Sequence, residues 1–265
     1  MHENLTVVAI YGHNNGSSVI PALVKSVEEL PGSRGLLISP RRPKDLPKHI
    51  RHKSCGKMSY QQYSLFVMYC LHMYIKTSHC LIVQDDGWVL NGKKFKADYY
   101  QYDYIGAPTH CGYKDNRLYN QFSWQGVEDP LVVQNGGFSL RSRRFLKCLA
   151  RKGIMYAFFS AQPMCNEDVQ LCTFLRPQLE KAGMKFAPLE VAREFSMEYA
   201  GLGFHDTLHF DELLGHHGPT RRLMPDNHVK VTAPLSEVSG YYGEIRFLDW
   251  LQDRGYTVEY KEPST

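Results

Sequence analysis

Residues 80–90 read Cys80-Leu81-Ile82-Val83-Gln84-Asp85-Asp86-Gly87-Trp88-Val89-Leu90, an apolar run that ends in two adjacent carboxylates and a glycine. A continuous apolar run followed by turn residues is typical of a buried strand in a largely parallel sheet. In open α/β sheets, ligands bind beyond the carboxyl ends of such strands. Adjacent carboxylates repel each other unless a cation joins them or one points to solvent. The stretch therefore indicates either a divalent-ion site that also holds a phosphorylated ligand, or an ordinary polar turn.

The chain before this stretch predicts the start of an α/β domain. Residues 5–10 and 35–39 are strand-like, and residues 19–30 between them carry apolar side chains at helical spacing. Residues 60–77, preceded by the capping residue Ser59, predict a long central helix. The first strand is followed by neither a Gly-x-Gly-x-x-Gly nor a Walker sequence, which argues against dinucleotide and P-loop sites. We predict an α/β fold with a mostly parallel central sheet flanked by helices.

The second half of the chain contains two further candidate segments. Gly136 and Gly137 lie in a strand-like context, which indicates either a bulge or close approach of a ligand to the backbone. Asn166-Glu167-Asp168-Val169 predicts a helix start with Asn166 as its N-cap, a common pattern when taken alone. That helix is expected to run to residue 183 with a kink at Pro177. An irregular loop over 109–130, containing Trp124, is expected to serve a site or to be mobile.

The composition suits one large domain, which we divide into a catalytic domain over residues 1–215 and a C-terminal extension over 216–265. The extension is predicted to be loop-like to residue 239, then to form a helix over 242–254 and a strand over 256–260 that could pair at the sheet edge. Lys and Arg exceed Asp and Glu by 31 to 27, a net charge of +4, which allows an anionic substrate without demanding nucleic acid. The seven cysteines include no Cys-x-x-Cys pair, which favours a reducing compartment. We expect no signal peptide and no transmembrane segment, hence a cytoplasmic protein.

The order of these segments resembles the GT-A class of glycosyltransferases. The resemblance is strongest to a bacterial and viral group of uncharacterised glycosyltransferase homologues, and it extends more distantly to fringe-like β-1,3-glycosyltransferases. It covers roughly residues 5–205. It rests on Gln84-Asp85-Asp86-Gly87-Trp88-Val89, Tyr104-Ile105-Gly106-Ala107-Pro108, Asn135-Gly136-Gly137-Phe138-Ser139-Leu140-Arg141-Ser142, Asn166-Glu167-Asp168-Val169 and Gly203-Phe204-His205.

The resemblance implies a set of site residues. Asp86 would be the main ligand of a Mn²⁺ or Mg²⁺ ion, with Asp85 assisting and His205 completing the metal site. Gln84 departs from the family pattern, which often has a carboxylate there, although its amide could hydrogen-bond a ribose. Asp168 matches the general base of inverting members. The remaining donor-site residues, for the nucleotide base and the donor sugar, are Tyr11, Gly12, His13, Tyr63, Gly136 and Gly137.

The function that the resemblance implies is metal-dependent, inverting transfer of a sugar from a nucleoside-diphosphate donor, UDP-linked, to a hydroxyl of a saccharide acceptor. One alternative acceptor is a hydroxymethylated DNA base, with the basic residues of 41–57 and 141–144 as a phosphate track. A viral enzyme of that kind would act in the host-cell cytoplasm. A third hypothesis is a non-catalytic sugar-nucleotide or glycan-binding module. A phosphohydrolase is disfavoured, because no carboxylate- and histidine-rich set suits two metals.

Overall fold

The central sheet of the protein contains seven strands in the order β3-β2-β1-β4-β7-β5-β6. The computed structural model describes residues 2–13, 16–120, 123, 126–157, 164–201, 204–238 and 243–262. Trp124, Gly203 and Tyr242, which figure in the predictions above, lie outside these residues. The strands are β1 Leu5–Ile10, β2 Arg34–Ser39, β3 Arg51–Ser54, β4 His79–Ile82, β5 Tyr104–Lys114, β6 Arg117–Asn120 and β7 Leu131–Ser142.

One half of this sheet is parallel and the other half is antiparallel. The parallel half is β3-β2-β1-β4, in which Val8 of β1 lies between Leu36 of β2 and Ile82 of β4. β7 runs antiparallel to β4 and to β5, and β6 runs antiparallel to β5. All six residues of β1 are buried, as expected for a strand covered on both faces. The α/β fold class is confirmed, with a sheet that is mixed rather than mostly parallel.

Helices cover the two faces of the sheet. Their bounds are α1 Ile20–Glu29, α2 Tyr60–Leu65, α3 Arg143–Lys152, α4 Glu167–Val169, α5 Arg176–Lys181, α6 Leu189–Phe195, α7 Leu235–Val238 and α8 Glu244–Asp253. α2 continues as a π-helical turn over Phe66–Cys70 and a 3₁₀ turn over Leu71–Met73, and α4 continues as a π-helical turn over Gln170–Phe174. Further 3₁₀ turns are Ser17–Val19, Gly92–Lys94, Ala97–Gln101 and Phe210–Glu212.

Two sequence signals for helix boundaries have clear structural counterparts. Ser59 forms a capping box with Gln62 at the start of α2: Gln62 N–H donates to Ser59 Oγ, and Ser59 N–H donates to Gln62 Oε1. The helix predicted to run through residue 183 is interrupted at Leu175, and Pro177 lies in the first turn of α5. Proline lacks the N–H that a continuous helix needs, and it is tolerated where a new helix begins.

The C-terminal part of the chain contains more regular structure than predicted. β8 Ser196–Met197 pairs with β9 Gly215–His216, and β10 Arg221–Met224, β11 His228–Val231 and β12 Thr257–Glu259 form a separate sheet. The loop-like prediction for residues 215–239 was therefore wrong, because strands of two to four residues are too short to show a periodicity. β12 pairs with β11 rather than with the edge of the central sheet. The division at 215/216 falls inside β9.

Backbone hydrogen bonds fix this C-terminal segment against the loop that follows β4. Gly218 N–H donates to the Asp86 carbonyl at 2.9 Å, and Leu223 N–H donates to the Asp85 carbonyl at 2.9 Å. Trp88 is fully buried and packs edge-on against His216. These contacts bring residues 216–223 beside residues 85–88, at the carboxyl edge of the parallel strands.

Candidate functional site

A cavity of about 290 Å³ opens at the carboxyl ends of β1 and β4. Its location is the one that the sheet topology predicts for a ligand site. Seven of the predicted site residues line it: Tyr11, Gly12, His13, Tyr63, Gln84, Asp85 and Asp86. The other lining residues are Ile10, Val19, Met58, Tyr60 and Arg222.

The two adjacent aspartates lie at the tip of a tight turn. Gln84 and Gly87 close this turn through hydrogen bonds in both directions, at 3.3 and 3.1 Å. A Cβ atom on Gly87 would lie 2.7 Å from the His216 carbonyl oxygen, so the turn requires glycine there. The turn thus aims Asp85 and Asp86 into the cavity.

Two side chains from residues 216–222 contact the aspartate pair. His217 Nε2 lies 3.2 Å from Asp86 Oδ1, and Arg222 Nη1 lies 3.2 Å from Asp86 Oδ2. Arg222 Nε lies 3.5 Å from Asp85 Oδ1. Although Asp86 Oδ1 is buried, none of the described residues gives it a well-aligned hydrogen bond. The atom therefore suits a further positively charged ligand.

The charges of this cluster shift one another's pKa values. Burial alone would raise the pKa of Asp86, but His217 and Arg222 outweigh it and lower the pKa. Burial disfavours a charged His217, but the Asp86 carboxylate prevails and raises the pKa of the imidazole. For Asp85, the positive charges of Arg222 and His217 do not outweigh burial, and burial raises its pKa. The site therefore favours a charged Asp86.

The ring of His217 is held on both sides. Its Nδ1 accepts a hydrogen bond from Asn135 Nδ2 at 2.9 Å, because Asn135 Oδ1 accepts from the backbone N–H of Phe138 at 3.1 Å. This leaves the proton on Nε2, 3.1 Å from Gln84 Oε1. Glu198 Oε1 lies 3.9 Å from His217 Nδ1, and burial raises the pKa of Glu198 to about 7.

The paired glycines make room for side chains of the site. A Cβ atom on Gly137 would lie 2.3 Å from His217 Nε2, and one on Gly136 would lie 2.1 Å from Glu167 Oε1. The sequence predicted a bulge or the approach of a ligand here, and the structure shows that His217 and Glu167 approach the backbone of β7. The register shifts between β5 and β7 lie in the same region, opposite Gln134.

Asp168 lies beside the first of these glycines. Its Oδ2 accepts a hydrogen bond from Gly136 N–H at 3.0 Å. A buried ion pair, Arg141 Nη2 to Glu167 Oε1 at 2.8 Å, fixes α4 to β7 and so holds Asp168 in place. Asn166 takes the N-cap position of α4 without a side-chain capping bond.

His205 is placed away from these contacts. Its Nε2 lies 3.0 Å from the Arg193 carbonyl oxygen, and its own carbonyl accepts from Arg246. The side chain is fully buried, and burial lowers its pKa to about 4. The structure thus pairs Asp86 with His217 rather than with His205.

Four residues of the site were not predicted as site residues from the sequence: His217, Arg222, Glu198 and Asn135. The available signal was the segment His216-His217-Gly218-Pro219-Thr220-Arg221-Arg222, which combines two histidines, a glycine and two arginines. We interpreted this segment as part of a loop-like extension and gave its polar residues no role. Residues 216–222 are far from Asp85 and Asp86 in the sequence, so nothing in the local pattern indicated that they are adjacent in the fold.

The side chains around Asp86 fit a divalent ion. Neighbouring ligands of an octahedral ion lie roughly 3 Å apart, and His217 Nε2 lies 3.1 Å from Gln84 Oε1 and 3.2 Å from Asp86 Oδ1. The described part of the chain contains no preassembled group of three or more His, Cys, Asp or Glu ligands. Mg²⁺ commonly uses one or two carboxylates and takes its other ligands from substrate phosphates and water. Asp86 and His217 therefore suit an ion shared with a phosphorylated ligand.

A family model described as "Protein of unknown function (DUF5672)" matches residues 54–217, more than half of the chain. The chain belongs to this family. The matched segment contains the aspartate turn, the paired glycines and Asp168, and it ends at His217. None of the curated proteins matches the chain.

A solved structure shows the same fold at low sequence identity. The galactosyltransferase LgtC, crystallised with donor and acceptor sugar analogs, matches with a TM-score of 0.51 and 14% identity over 94% of this chain and 95% of that chain. A structure of an active-site mutant of LgtC matches with a TM-score of 0.49, 14% identity and the same coverage. The fold of this family member is therefore the GT-A fold.

Proposed function

We propose that the protein is a glycosyltransferase that uses a nucleoside-diphosphate sugar, UDP-linked, as its donor. The observation that supports this best is the combination of an aspartate pair, an arginine and a histidine at one end of an aromatic-lined cavity in a GT-A fold. The aromatic end suits a nucleotide base, and the charged end suits a diphosphate. The two ends lie within one cavity of about 290 Å³, a size suited to a small ligand.

The base would be held between the loop after β1 and the start of α2. Tyr11 and His13 lie on one side, and Tyr60 and Tyr63 form a stacked pair with ring centroids 6.5 Å apart. The Tyr63 hydroxyl accepts a hydrogen bond from Gln84 Nε2 at 3.0 Å, which orients Gln84 Oε1 toward His217. Arg222 is one-third exposed and lines the cavity, so its guanidinium can contact a phosphate while it stays beside the aspartates.

Asp86 and His217 would hold a Mn²⁺ or Mg²⁺ ion, with Asp85 assisting. When bound, such an ion acts as a Lewis acid that stabilises the negative charge of the leaving diphosphate. For His217 to be a ligand, the proton on Nε2 must leave and Nδ1 must donate instead. The Glu198 carboxylate, 3.9 Å from Nδ1, would accept that hydrogen bond.

Asp168 would act as the general base in an inverting reaction. The acceptor oxygen forms a bond to the anomeric carbon while the bond from that carbon to the phosphate oxygen breaks. The proton of the acceptor hydroxyl passes to Asp168, whose Oδ2 is oriented by the N–H of Gly136. General-base catalysis of this kind contributes about 10²–10⁴ in rate.

We propose a saccharide rather than DNA as the acceptor. The basic run over 141–144 does not form a phosphate track, because Arg141 is fully buried against Glu167 and Arg144 is paired with Asp103. Only Arg143 of the three arginines is left to contact a phosphate.

The proposal is tested by thermal unfolding of the protein with a panel of sugar nucleotides, in Mn²⁺ and in EDTA. A true donor raises Tm in Mn²⁺, because a ligand that binds only the folded state stabilises it. The same donor should be hydrolysed slowly by the wild type, which separates an enzyme from a binding module. Asp86→Ala should abolish the metal-dependent shift, and Asp98→Ala, in the 3₁₀ turn Ala97–Gln101 and exposed, is the matched control. A shift of equal size in EDTA would argue against the metal site, and no shift with any sugar nucleotide would refute the donor class.

A further inference from the structure

Two segments that pack together in the fold contain no acidic residues of their own. Residues 60–79, which contain α2, and residues 143–157, which contain α3, include no Asp or Glu. The segments pack together: Phe145 and Leu149 share a core cluster with Met68, and the Tyr69 hydroxyl donates to the Ile154 carbonyl at 3.0 Å. We call the solvent-facing side of these two segments the α2–α3 face.

Cations are concentrated on this face. Arg143, Lys147 and Arg151 are spaced four residues apart and so lie on one side of α3. α3 packs against the turn Leu71–Met73, which precedes Lys76. Slight desolvation and the charges of Arg143, Arg151 and Lys76 lower the pKa of Lys147, in agreement with this arrangement. Lys76 and Arg151 are exposed, and Lys147 and Arg143 are partly so. Like charges that repel one another in the free protein suit a densely anionic partner.

The same two segments also carry exposed apolar side chains. Met73 on the first segment is 55% exposed, and Met155 on the second is 71% exposed. Unbranched apolar side chains next to lysine and arginine are typical of surfaces that rest in the boundary between lipid headgroups and acyl chains. Proteins that bind single-stranded nucleic acid instead present aromatic platforms. The large hydrophobic side chains found exposed on these segments are Met73, Met155 and Tyr60, and Tyr60 lines the donor cavity at the other end of α2.

We propose that the α2–α3 face docks on a bilayer surface that contains anionic lipid. Lysine and arginine each contribute about tenfold or less to such binding, by attraction to the negative surface potential. The methionines add apolar contact that salt does not screen. From Tyr60 to Met73 the helical rise spans roughly 20 Å, so docking would hold the cavity near the lipid surface. This inference does not depend on the proposed glycosyltransferase activity.

The test is co-sedimentation of the full chain with vesicles made of equal parts phosphatidylglycerol and phosphatidylcholine, and with phosphatidylcholine alone. The wild type should bind the anionic vesicles, and its affinity should fall as salt rises. The triple variant Arg143→Gln, Lys147→Gln, Arg151→Gln should bind roughly 100-fold more weakly. The control variant Arg41→Gln, Arg42→Gln, Lys44→Gln removes the same charge from another exposed loop and should keep wild-type affinity.

Three outcomes would overturn the proposal. The first is no binding of the wild type to anionic vesicles at low salt. The second is an equal loss of vesicle affinity in both triple variants, which would show that binding depends on the net charge of the protein and not on the α2–α3 face. The third is tight binding of the α2–α3 face to a fluorescent DNA duplex with no vesicle binding, which would assign the face to nucleic acid. Should the triple variant not fold, Met73→Gln with Met155→Gln keeps the proposal testable, because it should weaken vesicle binding several-fold and leave the salt dependence intact.

Discussion

His217 Nε2 lies 3.2 Å from Asp86 Oδ1, and the two residues come from segments far apart in the chain. Asp86 is carried by the turn after β4, and His217 follows β9. The backbone bond from Gly218 N–H to the Asp86 carbonyl, at 2.9 Å, fixes the separation of the two segments. The backbone therefore positions the two side chains next to each other, and their contact forms the charged end of the cavity.

Binding of a divalent ion should release a proton from His217. The Asp86 carboxylate raises the pKa of His217, so part of the folded protein carries a charged imidazole, and an ion can bind Nε2 only in the neutral ring. Calorimetric titration of Mn²⁺ with a nucleoside diphosphate, in two buffers of different ionisation enthalpy, measures the proton count. We expect release of a fraction of a proton at neutral pH for the wild type, and a larger fraction as the pH falls. A variant His217→Gln should bind more weakly and release none; release that persists in this variant would assign the proton to another group.

Gly137→Ala should displace His217 without touching the aspartates. The added Cβ would lie 2.3 Å from His217 Nε2, so the ring must move. We expect metal-dependent donor binding to weaken by at least tenfold, with a loss of about 1–3 kcal/mol in the free energy of unfolding from overpacking. Gly56→Ala is the control, because nothing lies within 4 Å of its Cβ position. Equal donor affinity in both variants would show that the position of His217 is unimportant for binding.

The sequence predicted those parts of the site that follow from local pattern. The apolar run before Asp85 and Asp86 gave both the buried strand and the position of the cavity, since a parallel strand directs its carboxyl end to the ligand edge. The paired glycines indicated either a bulge or the approach of a ligand; register shifts lie in this region, and side chains of the protein approach both glycines. The GT-A fold class followed from the order of the motifs.

The sequence did not reveal the contacts that depend on long-range pairing. β8 and β9 have two residues each, so no periodicity marks the segment that carries His217. His205 and His217 both lie near glycines, and only the tertiary structure separates a histidine buried against the Arg193 carbonyl from one that contacts Asp86. Arg141 looked like a surface cation because its neighbours are basic, whereas its partner Glu167 comes from another element.

Asp168→Asn should slow sugar transfer by roughly 10²–10⁴ and leave donor binding unchanged. The amide keeps the shape of the side chain and can still accept from Gly136 N–H, but it cannot take the acceptor proton. Turnover with an identified acceptor and calorimetric donor binding should be measured on the same preparation. Asp115→Asn, at an exposed turn between β5 and β6, is the matched control. Turnover within a few-fold of wild type would remove Asp168 from the mechanism.

Glu198→Gln should make the protein more stable at alkaline pH than the wild type. Burial raises the pKa of Glu198 from 4.5 to about 7, so the folded state holds a proton that the unfolded state has lost between these values. The wild type therefore loses stability as pH rises through this window, and the neutral glutamine does not. A pKa shift of this size corresponds to a change of a few kcal/mol at most in the free energy of unfolding.

Urea unfolding of both proteins at pH 5 and pH 8, in EDTA, measures this difference. We expect the stability of the variant relative to the wild type to increase by about 1–3 kcal/mol between the two pH values. Glu237→Gln, an exposed glutamate on α7, should show no such pH-dependent gain. A parallel pH response of the Glu198 and Glu237 variants would mean that Glu198 titrates as an ordinary carboxyl and that its negative charge is already balanced beside His217.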